Sequence, residues 1–197
     1  MDKKWKNLFI ILIFAIAAIS LIVSFMPSTE TTFNDGLQKI NSIWAKESIN
    51  PAGLTVNGMQ SLDEASVSSV EKNLISLKEG IPITKQGGAL SKLADIHLTI
   101  VEIIKTNKNI SEKILESQSL DESKICNNSA LFDEINSLTK ELASKTKEKN
   151  KAIADFLTQF PAYFQASGIE NLKSDETAID SAVAQSEQGL LDLESGC

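Results

Sequence analysis

Leu8 to Met26 is a run of nineteen residues without a charge, and Lys3, Lys4 and Lys6 stand immediately before it. At about 1.5 Å of rise per residue, a helix of that length spans close to 30 Å, roughly the hydrocarbon thickness of a bilayer. The run therefore reads as a transmembrane helix with membrane lipid as its partner. Lysines flank it on the N-terminal side only, while Pro27 to Gly36 carries Glu30 and Asp35 and no lysine. The positive-inside bias then puts residues 1–7 in the cytoplasm as a basic stub and everything after Pro27 outside. Trp5 falls at the inner boundary, where an indole ring favours headgroup level.

A cleaved secretory signal shares the basic start and the apolar core, but its core is about 7–15 residues long. The small-x-small triplets here, Ala15-Ile16-Ala17 and Ala18-Ile19-Ser20, lie inside the run, and cutting at either leaves apolar residues at the new terminus. A retained single-pass signal anchor is the reading adopted, with a secreted helical protein as its alternative. No cysteine lies in or just after the run to carry a lipid, and Ser195-Gly196-Cys197 is not a prenylation box.

About 170 residues remain after the anchor, enough for one domain with a real core. The net charge is -7, and all 19 basic residues are lysines. Nucleic-acid recognition leans on arginine forks and basic patches, so a nucleic-acid partner is not expected.

Residues 27–36 read as a linker leaving the bilayer, and 37–197 as a helical ectodomain. Leu37, Ile40, Ile43 and Trp44 recur at helical spacing until Asn50-Pro51. Residues 52–60, with Gly53 and Gly58, read as a loop. Ser61-Leu62-Asp63-Glu64 has the form of a capping box with Ser61 as the cap, opening a helix that Gly80 and Pro82 close. Gln86-Gly87-Gly88 reads as a hinge. Beyond it, Leu93, Ile96, Ile100, Ile103, Asn107, Ile110 and Ile114 alternate steps of three and four, the spacing of a coiled-coil-like seam. Ile96 to Ile104 is rich enough in β-branched residues for a strand, but the seam is far too long for one.

Leu131, Ile135, Leu138 and Leu142 restart the period, and Ile153, Phe156 and Phe160 complete it. Between them, Ser144 to Lys151 offers no apolar residue, and Lys145 and Lys149 fall on the seam. Such a helix either breaks there or projects past its neighbours with lysine stems as partial cover; projection is the expectation. Pro161 bends or ends the helix near Phe160. Ile179, Ala182, Val183, Leu190 and Leu193 form a last amphipathic stretch. The fold class expected is all-α: an N-terminal transmembrane helix followed by an extracytoplasmic up-and-down bundle of four to five helices.

No catalytic, cofactor-binding or metal-ligating set emerges. His97, the single histidine, has no Cys or second His to complete a dyad or a zinc site and reads as structural. Glu134, Glu141 and Glu148 recur every seven residues and read as a solvated stripe with local partners, Glu141 with Lys145 among them. Phe156, Phe160, Tyr163 and Phe164 cluster about Pro161, either as a packed helix end or as a docking patch for a partner. Asn109-Ile110-Ser111 and Asn127-Asn128-Ser129 match the glycan acceptor pattern, so Asn109 and Asn127 are candidate glycan sites.

These features describe a non-enzymatic scaffold, adhesion or assembly protein with a protein partner or a second copy of itself. A ligand-binding sensory ectodomain is the alternative, and with seven residues before the anchor it needs a partner subunit to signal. An envelope hydrolase lacks the convergent residues it requires.

The two cysteines, Cys126 and Cys197, form an even pair in an oxidising compartment and are read as a disulfide. In an up-and-down bundle the segments holding them lie at one pole, because two reversals of the chain separate them. Closing a loop of this length is worth roughly 4 kcal/mol in the chain-entropy model. Cys126→Ser is accordingly expected to lower the melting temperature clearly. Thiol labelling of the native protein that finds both cysteines reduced contradicts the bridge.

Overall fold

The structure is a computed structural model, and it describes residues 29–120 and 128–196. The basic stub, the apolar run 8–26, Cys126, Asn127 and Cys197 lie outside the described residues. No helix among the described residues is long and apolar enough to cross a membrane. Those residues form α-helices and short 3₁₀ turns without a strand: α1 (Thr29–Lys46), α2 (Val56–Gln60), α3 (Glu64–Glu79), α4 (Lys85–Gln118), α5 (Ser129–Gln159), α6 (Pro161–Ser167) and α7 (Glu176–Gly196).

The all-α expectation holds, and α4 is the axis of the bundle, packed by α1, α2, α3 and α5. Its seam residues Leu93, Ile96, Ile100, Ile103, Asn107 and Ile110 are all buried, whereas Ile114 is 38% exposed. The strand reading of Ile96–Ile104 is thereby excluded. Helix α1 contributes Phe33, Leu37, Ile40 and Trp44, spaced by three or four residues and buried as one stripe. Gly36 lets α1 lie close against Leu90 of α4. Further along both helices the buried Trp44 indole donates to His97 Nδ1 at 3.0 Å, so α1 and α4 run in the same direction.

The neighbouring helices run the other way. Lys78 pairs with Asp95 and Lys105 with Glu71, which fixes α3 antiparallel to α4. Lys145 with Glu102 and Lys113 with Glu134 do the same for α5 against α4. Lys140 with Glu187 and Lys147 with Asp180 set α7 antiparallel to α5. Exposed pairs of this kind contribute little stability each; their value here is register. The antiparallel course of α7 brings Gly196 toward the end of the bundle where α5 begins.

Several local expectations need correction. The segment read as a linker over 27–36 is helical from Thr29, because Phe33 belongs to the buried stripe of α1. The supposed loop 52–60 holds a 3₁₀ turn, Pro51–Gly53, and α2, which Thr55 caps by accepting from the Gly58 amide. Asp63, and not Ser61, caps α3, its carboxylate accepting from the Ser66 amide, while the Ser61 hydroxyl donates back to Gly58 O. Gln86-Gly87-Gly88 is no hinge: it is the first turn of α4, capped by Thr84.

Helix α5 continues without a break through its lysine-rich stretch, where Thr146, Lys149 and Asn150 are buried. The chain between Lys173 and Glu176 folds over the inner side of that stretch and covers Lys149 and Asn150 with polar groups, so the helix is packed there and does not stand clear of its neighbours. Pro161 acts as expected. Helix α5 ends at Gln159, and α6 opens with the proline at its first turn, where a missing amide costs nothing.

Gly87 and Gly88 adjoin in sequence and differ in surroundings. A Cβ at Gly87 would collide with the Pro82 carbonyl oxygen, a backbone atom that cannot move aside; at Gly88 it would meet Phe160 at an ordinary 3.7 Å. Gly87→Ala is therefore expected to destabilise the fold. Gly88→Ala is expected to stabilise it by about 0.5–1 kcal/mol through helix propensity and a less free unfolded chain. Urea midpoints of the two variants check this, and equal effects at both positions contradict the close packing.

Candidate functional site

Among the features that packing leaves open, a cleft along α7 and a buried lysine beside it lie together. The cleft has a volume of about 350 Å³ and lies where α7 meets α5, the Ile103 turn of α4 and the segment around α2. Leu54, Met59, Ile103, Leu142, Ile179 and Val183 form much of its wall. It exists because α7 carries small residues, Ala178 and Ala182, on the face toward α5. No described residue of α7 is fully buried, so this helix rests on the bundle without sealing against it.

Lys149 lies on the inner side of α5 with 5% of its surface exposed. Among the described residues its ammonium has one acceptor, the hydroxyl of Ser174 at 2.6 Å. Burial pulls the amine down from its ordinary value to about 8. Asn150 holds Ser174 in place from both sides. Its Nδ2 donates to Ser174 O at 2.8 Å and its Oδ1 accepts from Ser174 N at 3.0 Å. The same Nδ2 donates to Glu176 at 3.0 Å, and Asp175 caps α7 by accepting from the Thr177 and Ala178 amides. A smaller cavity of about 90 Å³, bordered by Lys149, Lys173 and Ser174, adjoins the cleft through Leu54, Met59 and Ile103.

Of the residues singled out in the sequence, Phe156 is wholly buried and takes no part in an exposed docking patch. Phe160, Tyr163 and Phe164 are half-covered and turned to the core, with Tyr163 stacked on Phe33 at 4.4 Å. These four residues pack at a helix end, Tyr163 on Phe33 of α1 and Phe156 with Phe160, whose ring centroids are 5.4 Å apart. Asn109 is exposed on α4, with Ile110 beside it buried. Glu134 meets Lys113, Glu141 meets Lys145, and Glu148 accepts from Ser144, so the carboxylate stripe is divided among separate partners. Lys145 does lie on the seam and is satisfied by Glu102 and Glu141. The inward course of Lys149 has a signal in its seam position; its partner Ser174 has none.

No family model, curated protein or solved structure matches the chain.

His97 is buried, and its Nδ1 accepts from the Trp44 indole, which fixes the proton of the neutral ring on Nε2. Burial holds its pKa down, from 6.5 to about 4. The unfolded chain binds a proton at this site from about pH 6.5 downward, the folded chain only near pH 4. The associated stability is complete above 6.5 and is lost as pH falls toward 4, by about 3 kcal/mol. His97→Gln keeps an acceptor for Trp44 and removes this titration. Urea midpoints between pH 7 and 4.5 are expected to fall less steeply for the variant; an unchanged slope contradicts the assignment.

Proposed function

We propose that the chain is a single-pass membrane protein whose helical ectodomain works without catalysis, as an envelope scaffold, adhesion or assembly factor that presents a surface to a protein partner. The apolar run 8–26 supports the tether, and the described helix α1 begins three residues after it. So short a sequence separation would keep the start of α1 near the membrane. From Leu90, which lies against α1, to Leu115 near the far end, α4 extends about 40 Å.

The observation that carries the reading is what lies at that far end. Ile114, Leu115 and Leu191 are 38%, 65% and 58% exposed, half of the large apolar side chains the described residues leave open. Apolar residues left open toward one end of the bundle suit a docking site better than residues spread over its whole length do. A photo-crosslinking residue at Leu115, in full-length protein in intact membranes, is expected to give one discrete adduct. Leu191→Glu should abolish it, and the same crosslinker at Ile75 should give none. Absence of an adduct at Leu115, or an ectodomain unreachable by protease from outside, contradicts the proposal.

A further inference from the structure

Among the described residues, the packing neither fills the cleft along α7 nor gives the amine of Lys149 a bonded counter-charge. Burying a charge without a counter-charge costs stability, and a neutral hydroxyl is a weak partner for an ammonium. Ser174 joins the two features, since it accepts from Lys149 and lines both the cleft and the smaller cavity. The neighbouring carboxylates are engaged elsewhere: Asp175 with the first amides of α7, Glu176 with Asn150. Lys173, on the wall of the smaller cavity, adds a second positive charge. An apolar crevice therefore opens beside an amine to which no described carboxylate is bonded.

We propose that this cleft binds a small amphiphile of the medium-chain carboxylate class, its tail between α5 and α7 and its head on Lys149 beside the Ser174 hydroxyl. A volume of about 350 Å³ stands at the lower end of the usual range for ligand sites, which suits one short tail and excludes a two-chain lipid. With its pKa near 8, the amine remains largely charged at neutral pH. A carboxylate supplies the counter-charge that no described side chain provides, in a site where charge-assisted hydrogen bonds are at their strongest. The cleft belongs to the bundle alone, so the inference does not depend on where the bundle is held.

The probe is dodecanoate with a diazirine in its tail, photolysed with the full-length protein in phosphatidylcholine vesicles and mapped by mass spectrometry. Adducts are expected on α5 and α7 facing the cleft, around Leu142 and Ile179. Unmodified dodecanoate should compete for them and dodecanol should not. Lys149→Met is expected to melt at or above the parent's temperature, showing that it folds, and to lose cleft adducts about tenfold or more. Ala182→Trp fills the cleft and leaves Lys149 in place; it should lose them as well. Adducts confined to residues 8–26, alike for carboxylate and alcohol probes, overturn the proposal, as does cleft labelling indifferent to Lys149→Met. A chain that fails to join the vesicles, yet labels at the cleft in solution, sinks the membrane reading and leaves this one standing.

Discussion

The fold depends on burying one helix from several sides. Leu93, Ile96, Ile100, Val101 and Ile104 of α4 are each no more than 5% exposed, because α1, α3 and α5 each lay an apolar stripe against it. At roughly 25 cal/mol per Å² of apolar surface, burial of such a helix contributes strongly to the stability of the fold. Burial then declines along α4 as its neighbours end: Ile110 is 8% exposed, Ile114 38% and Leu115 65%. One helix is thus core at one end and surface at the other. The tight base and the open tip are consequences of how far α1 and α3 reach.

That arrangement explains which parts of the molecule were legible in the sequence. The helices with a sustained apolar period, α1, α4 and the first half of α5, follow from spacing alone, and so does the stop at Pro161. Local punctuation misled where tertiary contact outweighed it. Gly87 reads as a hinge because glycine is free, yet its purpose is to let the start of α4 touch the Pro82 carbonyl. Ser61 reads as a cap because Glu64 stands three residues on, yet Asp63 is nearer the first amide that needs an acceptor. The small polar residues from Thr29 to Thr32 look like a linker because the apolar stripe begins only at Phe33.

The candidate site was the least legible part. A lysine-rich stretch without apolar residues is ordinarily a solvated face, and Lys147 and Lys151 behave so, pairing with Asp180 and Asp155. Lys149 differs because Asn150 anchors a segment twenty-four residues away over it through two hydrogen bonds to Ser174. Nothing in the spacing of Asn150 and Ser174 announces that contact. The same cover leaves α7 resting on small side chains, so that the buried amine and the open cleft share one origin. Retaining a costly charge beside an unfilled space is the kind of local conflict that marks function in a fold otherwise consistent across its levels.

Amide hydrogen exchange on the full-length protein in lipid tests the central claim most directly, since protection reports how deeply each helix is committed to the core. Burial of α4 as the axis predicts that amides from Leu93 to Asn107 exchange only through global unfolding, those of α1 and α3 nearly as slowly, and those of α7 orders of magnitude faster. Exchange in α4 as rapid as in α7, or a strand-like protection pattern alternating across Ile96 to Ile104, would contradict the account.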